Sequence, residues 1–318
     1  MPEPVVHVAL ATDMAYLPWC AAAALSCQQS TGESRVHVHI LHEGDLSDDA
    51  RHLLATMVRG HNGEISYHTV DSERLAALPS KGPALGGRTS WIRIFLPEML
   101  SQHDRILYLD ADTLTVDSVG PLWTTSLGDA ALAAVSDVVE PDKQPRLSEL
   151  GITDPKRYFN AGVLVMNLAL MREESSLDRI MSYVAARRDE LEWFDQDALN
   201  VVFDRWHPLE PRWNAQNSLW FWAPWARQVF GEDALREAVS NPAILHFEGP
   251  SVVKPWHYLC QHPFRERYRQ ILAMTPWRDE PLLERTPATR VIRRLPKALQ
   301  LPAYVRLQAV RARRGSIS

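Results

Sequence analysis

The 318 residues are 46% hydrophobic and 23% charged with a formal net charge of -5, enough apolar mass to bury a large core in one elaborate domain or two smaller ones. The longest uncharged apolar stretch, Tyr16 to Cys27, contains Pro18 and falls short of the roughly 20 residues that a bilayer span needs, which argues against an integral helical membrane protein. Cys20, Cys27 and Cys260 are odd in number and lack metal or redox spacing, which fits free thiols in a reducing cytoplasm, and Met1-Pro2-Glu3-Pro4 lacks the positive region of a secretory signal, so no export is expected.

In chain order, Val5 to Thr12 is β-rich and almost wholly apolar, as a central strand covered on both faces would be, and Asp13 sits at its carboxyl end. Leu17 to Cys27 follows as a helix with Pro18 in its first turn. Val36 to Leu41 predicts a second strand. Leu46 to Val58 predicts a helix with Ser47 as N-cap, Asp48 and Asp49 in its first turn and Gly60 just past its end. Ile65 to Val70 predicts a third strand, and this alternation is the signature of a doubly wound α/β sheet. The loop from Pro79 to Arg88, with Gly82, Gly86 and Gly87, carries neither G-x-G-x-x-G nor a Walker lysine. Ser90 to Leu96 reads as a helix with Trp91, Ile92, Phe95 and Leu96 on the core side, Arg93 off that face, and Pro97 ending it.

A fourth strand, Ile106 to Leu109, delivers Asp110-Ala111-Asp112-Thr113. In an extended segment Asp110 and Asp112 point the same way, so two carboxylates converge on one side, and Asp13 and Asp110 face one crevice beyond the strand ends. Ala131 to Val135 and Gly162 to Asn167 predict further strands, and Leu177 to Leu191 an amphipathic helix that leads into Trp193-Phe194-Asp195-Gln196-Asp197-Ala198-Leu199-Asn200. Trp213, Trp220, Phe221, Trp222 and Trp225 then cluster, as core or as a platform for sugar rings. From Arg285 to Ser318 nine Lys and Arg stand with no acid, against 25 basic and 39 acidic residues before them. With Leu295, Leu299, Leu301, Tyr304, Val305, Leu307 and Val310 interleaved, residues 281–318 read as a basic amphipathic tail suited to an anionic membrane surface, or as a solvated or partner-packed one. No aromatic-basic patch in the body points to nucleic acid.

Paired carboxylates with an imidazole suit Mn²⁺, and carboxylates with waters and phosphate oxygens suit Mg²⁺ or Mn²⁺, so the motif fits nucleotide-diphosphate chemistry. Asp110-Ala111-Asp112-Thr113 after an apolar strand equally resembles the nucleophile motif of haloacid-dehalogenase-type phosphatases, although that motif usually opens its fold and here three βα units precede it.

Four elements in order, Leu109-Asp110-Ala111-Asp112, Phe159 to Val163 (FNAGV), Asp195 to Asn200 (DQDALN), and His246-Phe247-Glu248-Gly249 with Lys254-Pro255-Trp256, make residues 5 to about 277 resemble the family 8 retaining glycosyltransferases, the group of glycogenin and the bacterial lipopolysaccharide galactosyl- and glucosyltransferases. The resemblance implies a GT-A fold, Rossmann-like and mostly parallel, over residues 1–280, with a nucleotide-binding half at 1–122 and an acceptor half at 123–280. It implies a UDP-sugar donor (UDP-galactose or UDP-glucose), a saccharide acceptor and Mn²⁺, or Mg²⁺, held by Asp110, Asp112 and His246. By the same resemblance Ala11, Asp13 and Arg93 contact the donor, Asn160 and Ala161 lie beside its sugar, Asp195 and Gln196 stand at the reactive face, and Gly249 and Lys254 reach the diphosphate. Tyr16 matches an aromatic that commonly follows, while Ala15 departs from a polar residue. Four residues, Pro250 to Val253, stand where the family usually has two before the lysine. A degenerate homologue that binds nucleotide sugar or glycan without transfer is the alternative reading, and the expected location is cytoplasmic or peripheral on the inner face of the plasma membrane.

Overall fold

The computed structural model describes residues 5–32, 34–80 and 88–315. Its centre is a seven-stranded sheet in the order β3-β2-β1-β4-β7-β6-β8, built from β1 (Val5–Ala11), β2 (Arg35–His42), β3 (Glu64–Thr69), β4 (Arg105–Leu109), β6 (Leu132–Ser136), β7 (Phe159–Asn167) and β8 (His207–Pro208). A second sheet of three short strands, β5-β10-β9, comprises β5 (Thr113–Thr115), β9 (Ala215–Gln216) and β10 (Ile244–His246). The first four strands are parallel, whereas β7 runs antiparallel to both β4 and β6. That reversal brings the start of β7, not its end, to the carboxyl edge of β1 and β4.

The first half follows its sequence closely. β1 and β2 are apolar because helices and loops cover both faces, and the long helix Leu17–Ser30 buries Trp19, Cys20, Leu25 and Cys27 against them. Ser47 caps the helix Asp48–Gly60 by accepting from the Ala50 N–H, with Asp48 and Asp49 against the positive end of the helix dipole. Gly60 is that helix's last residue and not the position beyond it. The segment expected as one α-helix before β4 is a 3₁₀ turn, Thr89–Phe95, that passes into a short α-helix, Leu96–Met99. The helix expected to reach Leu191 ends at Arg187 and tightens into a 3₁₀ turn, and a helix not expected, Phe194–Val202, follows. Gly82, Gly86 and Gly87 lie outside the described residues.

Residues 281–318 do not form a detached tail as far as they are described. A short helix, Pro287–Ile292, closed by a Thr286/Thr289 capping box, leads to a longer one, Lys297–Gly315, and Ile292 and Tyr304 pack with Leu259. His257, fully buried, faces the Tyr304 hydroxyl at 3.2 Å through Nε2 while its Nδ1 accepts from the Leu259 N–H. Tyr304 and Leu307 therefore turn inward, whereas Leu295, Leu299, Leu301, Val305 and Val310 stay exposed. No helix among the described residues is long and apolar enough to cross a membrane.

Candidate active site

The site gathers at the carboxyl edge of β1 and β4, where the small sheet docks on the large one. Asp110 and Asp112 do not lie on an extended segment. β4 ends at Leu109 and the chain turns, with the Thr113 N–H and hydroxyl both bonding to the Asp110 carbonyl, before β5 begins. The two carboxylates converge because a turn folds them toward β10. In that pairing His246 lies opposite Thr113, and the Phe247 N–H donates to the Asp112 carbonyl at 2.9 Å.

Each carboxylate has its two oxygens divided. Asp110 Oδ1 accepts from the Tyr108 hydroxyl at 2.8 Å and meets Arg93 Nη2 at 2.9 Å, leaving Oδ2 3.7 Å from His246 Nε2. Asp112 Oδ2 accepts from Lys254 Nζ, leaving Oδ1 3.2 Å from the same nitrogen. Ligand atoms of Asp110, Asp112 and His246 all lie within 4.8 Å of one another. The imidazole is held from behind: Nδ1 contacts Asn214 Oδ1 at 3.0 Å, and Asn214 Nδ2 donates to Asn160 Oδ1 at 2.9 Å. With the Asn214 oxygen accepting from Nδ1–H, the Nε2 lone pair is directed at the carboxylates, the arrangement that metal-ligating histidines usually show. Gly162 supplies the space, since a Cβ there would sit 2.1 Å from His246 Cε1. The donor set thus fits a divalent ion with one imidazole and two carboxylate ligands.

Electrostatics follow from burial. Burial pushes the Asp112 carboxyl up, but Lys254 and then His246 outweigh it and hold it well below the usual range. Burial opposes the charges of Lys254 and His246, yet Asp112 raises both. Arg93 was expected off the core face and is instead buried, because its guanidinium serves two acids: Nη2 pairs with Asp110, and Nε, while donating to the Ser90 carbonyl, lies 3.0 Å from Asp195 Oδ2. Its Nη1 donates to the Ala161 carbonyl, and its plane lies over the Tyr108 ring. Burial raises the Asp195 carboxyl despite Arg93.

Asp195-Gln196-Asp197-Ala198-Leu199-Asn200 divides its labour. Phe194, at φ 50°, turns the chain so that Asp195 faces Arg93. Gln196 Oε1 accepts from the Ala161 N–H at 3.0 Å and its Nε2 donates to Asp137 Oδ2 at 2.7 Å. Asp197, fully buried, accepts from Arg146, the Tyr158 hydroxyl and the N–H groups of Glu192 and Trp193. Asn200 brackets Phe159, accepting from its N–H and donating to its carbonyl.

A family profile described as "Glycosyl transferase family 8" matches residues 7–260. The chain belongs to glycosyl transferase family 8. Among curated relatives it is 24% identical over 280 residues to a lipopolysaccharide 1,2-glucosyltransferase of Escherichia coli, covering 86% of this chain and 80% of that one. It is 31% identical over 195 residues to general stress protein A of Bacillus subtilis, covering 60% of this chain and 66% of that one. A solved structure of the galactosyltransferase LgtC in complex with donor and acceptor sugar analogues superposes with a TM-score of 0.76 at 28% identity, covering 85% of this chain and 96% of that one. Family membership and the GT-A likeness displace the phosphatase reading of Asp110 and Asp112.

Within this family 8 chain, the remaining expected residues fall as follows. Ala11 closes β1, buried, and Asp13 Oδ1 accepts from the Tyr16 N–H at the start of the first helix. Tyr16 stands edge-on to Trp256, which stacks flat on Trp19 with centroids 4.5 Å apart. The residues inserted before Lys254 fold into a 3₁₀ turn, Ser251–Val253, and Lys254 arrives buried beside Asp112. Gly249 takes φ +83° with open space around it. In the aromatic cluster Trp213 is core, and Trp222 and Trp225 stack on each other, partly exposed. Asp137 and Asn214 were missed by sequence reading. Asp137 follows β6 as Asp110 follows β4, which is a usable signal, whereas nothing local marks Asn214.

Proposed function

We propose that this chain transfers a hexosyl group from UDP-galactose or UDP-glucose to a hydroxyl of a saccharide acceptor, with retention at the anomeric carbon and dependence on Mn²⁺. The observation that carries the reading is that Asp110, Asp112 and His246 each present one ligand atom to a common point. Those residues would hold the ion, the imidazole favouring Mn²⁺ over Mg²⁺. When bound, the ion supplies neutralisation of the charge that builds on the diphosphate. Lys254, which donates to Asp112, would exchange that hydrogen bond for one to the departing phosphate. Asp195, beside Arg93, positions sugar hydroxyls and stabilises positive charge at the ring. The Gln196 amide is neutral, with both of its polar atoms engaged, so a front-face route fits better than a covalent one. In that route the bond from C1 to the phosphate oxygen breaks with its electron pair going to the phosphate. The acceptor oxygen bonds C1 on the same face, and its proton passes to the departing oxygen.

The lipopolysaccharide 1,2-glucosyltransferase among the relatives supports surface polysaccharide or lipid-linked glycan as the acceptor class. The exposed apolar residues of the helix Lys297–Gly315, set among arginines, support peripheral attachment to the inner face of the plasma membrane. Two measurements test this. UDP release from UDP-galactose and UDP-glucose should need Mn²⁺, and Asp112→Ala should lower kcat/KM by at least about 100-fold. Full Mn²⁺-dependent turnover by that variant would remove the metal assignment, and no release by the wild type from any UDP-sugar would make the chain a non-catalytic binding homologue. For the membrane, Leu301→Ser with Val305→Ser should abolish sedimentation with phosphatidylserine vesicles without lowering the melting temperature; unchanged sedimentation would overturn the attachment.

A further inference from the structure

At the opposite end of the sheet from the carboxylates, β1, β2 and β3 carry a row of histidines on one face. His7 and His37 are register partners; His39 follows two residues after His37, and His68 lies one step further across on β3. His103, from the loop before β4, lies against His7 with ring centroids 4.3 Å apart and the rings inclined at 45°. Further along the same row the residues become Ala9, Ala11 and Leu41, ordinary core, so packing alone does not call for imidazoles there.

The nitrogens face one another. His7 Nδ1 is 3.1 Å from His39 Nε2, and ligand atoms of His7, His39 and His103 all lie within 4.8 Å of one another. Nitrogens around a tetrahedral ion with bonds of about 2.05 Å stand about 3.4 Å apart, within reach of small ring rotations. His39 is held from behind in the manner of a ligand: its Nδ1 is 3.1 Å from His68 Nε2, so with Nδ1–H donating, Nε2 keeps its lone pair toward His7. His37 is otherwise engaged, with Nε2 on the Ser66 hydroxyl at 2.8 Å.

We propose that His7, His39 and His103 form a second metal site, distinct from the glycosyl-transfer site, that takes a divalent transition ion of the Zn²⁺ class and ties β1, β2 and the loop before β4 together. Three imidazoles without a carboxylate favour Zn²⁺, Ni²⁺ or Cu²⁺ over Mn²⁺ or Mg²⁺, the reverse of the preference at Asp110 and Asp112.

The test is equilibrium dialysis of the full chain against Zn²⁺ at pH 7.5, comparing the wild type, His7→Gln/His103→Gln and His37→Gln, all with the carboxylate site intact. The wild type should hold one more Zn²⁺ per chain than the double variant. Zn²⁺ should raise its melting temperature where it does not raise the double variant's. His37→Gln should bind as the wild type does. Bound Co²⁺ should show a tetrahedral visible spectrum in the wild type that the double variant lacks. Far-UV circular dichroism of the double variant checks that it folds, and if it does not, His103→Gln alone, in the loop, should weaken Zn²⁺ binding at least tenfold. Equal Zn²⁺ binding by the wild type and whichever of these two variants folds, or an equal loss on His37→Gln, would overturn the proposal.

Discussion

The two carboxylates of the candidate site are a short-range feature of the sequence, but their surroundings are set by residues that no motif marks. Gly162 is the sharpest case. It sits inside β7, where a glycine ordinarily weakens a strand, because the His246 ring occupies the space its side chain would take. Gly162→Ala should therefore displace the imidazole and raise the Mn²⁺ concentration for half-maximal activity by about 10- to 100-fold, measured by metal titration of UDP release. An unchanged titration would mean that His246 does not contribute to the metal site. Asp110 and Asp112 could be picked out as a candidate cation site from their spacing, and His246 from the family resemblance; Asn214, which contacts His246 Nδ1, could not, because a lone asparagine before a two-residue strand has no local signature.

Among elements, those marked by an apolar run or by a capped amphipathic face were legible and those stabilised by buried polar groups were not. β1, β2 and the capped helix Asp48–Gly60 follow from apolar runs and from Ser47. The helix Phe194–Val202 escapes that logic because Asp195, Asp197 and Asn200, polar residues that break an apolar periodicity, are buried on it. Of these, Asp197 touches only protein groups that fix the preceding loop and Tyr158. Asp197→Ala should leave those donors buried and unsatisfied, costing about 3–5 kcal/mol and lowering the melting temperature by about 10 °C in calorimetry. A melting temperature within about 2 °C of wild type would show that Arg146 and Tyr158 find other partners. The direction of β7 was equally hidden, since strand composition reports burial and not which neighbour a strand pairs with.

For the whole molecule, the C-terminal helices make stability depend on acidity. Burial lowers His257 to about 4 from an unfolded value near 6.5, so the unfolded chain binds the proton first. Stability is complete above about pH 6.5 and erodes as pH falls toward 4, by about 1–3 kcal/mol if the site stays dry. Hydrogen exchange in Lys297–Gly315 should rise between pH 7 and pH 5 beyond the intrinsic change, and His257→Gln should flatten that rise; a profile equal to the variant's would remove His257 as the cause. The site's assembly also has a kinetic consequence. Lys254 and Asp112 meet across 142 residues, and β10 slots between β9, the strand before it in the chain, and the distant β5. Contacts over such separations carry a loop-closure entropy that local contacts do not. A chain still emerging from the ribosome carries both carboxylates long before it carries the imidazole or the ammonium, so the proposed metal site can be assembled only once β10 and Lys254 have been made and have folded onto β5.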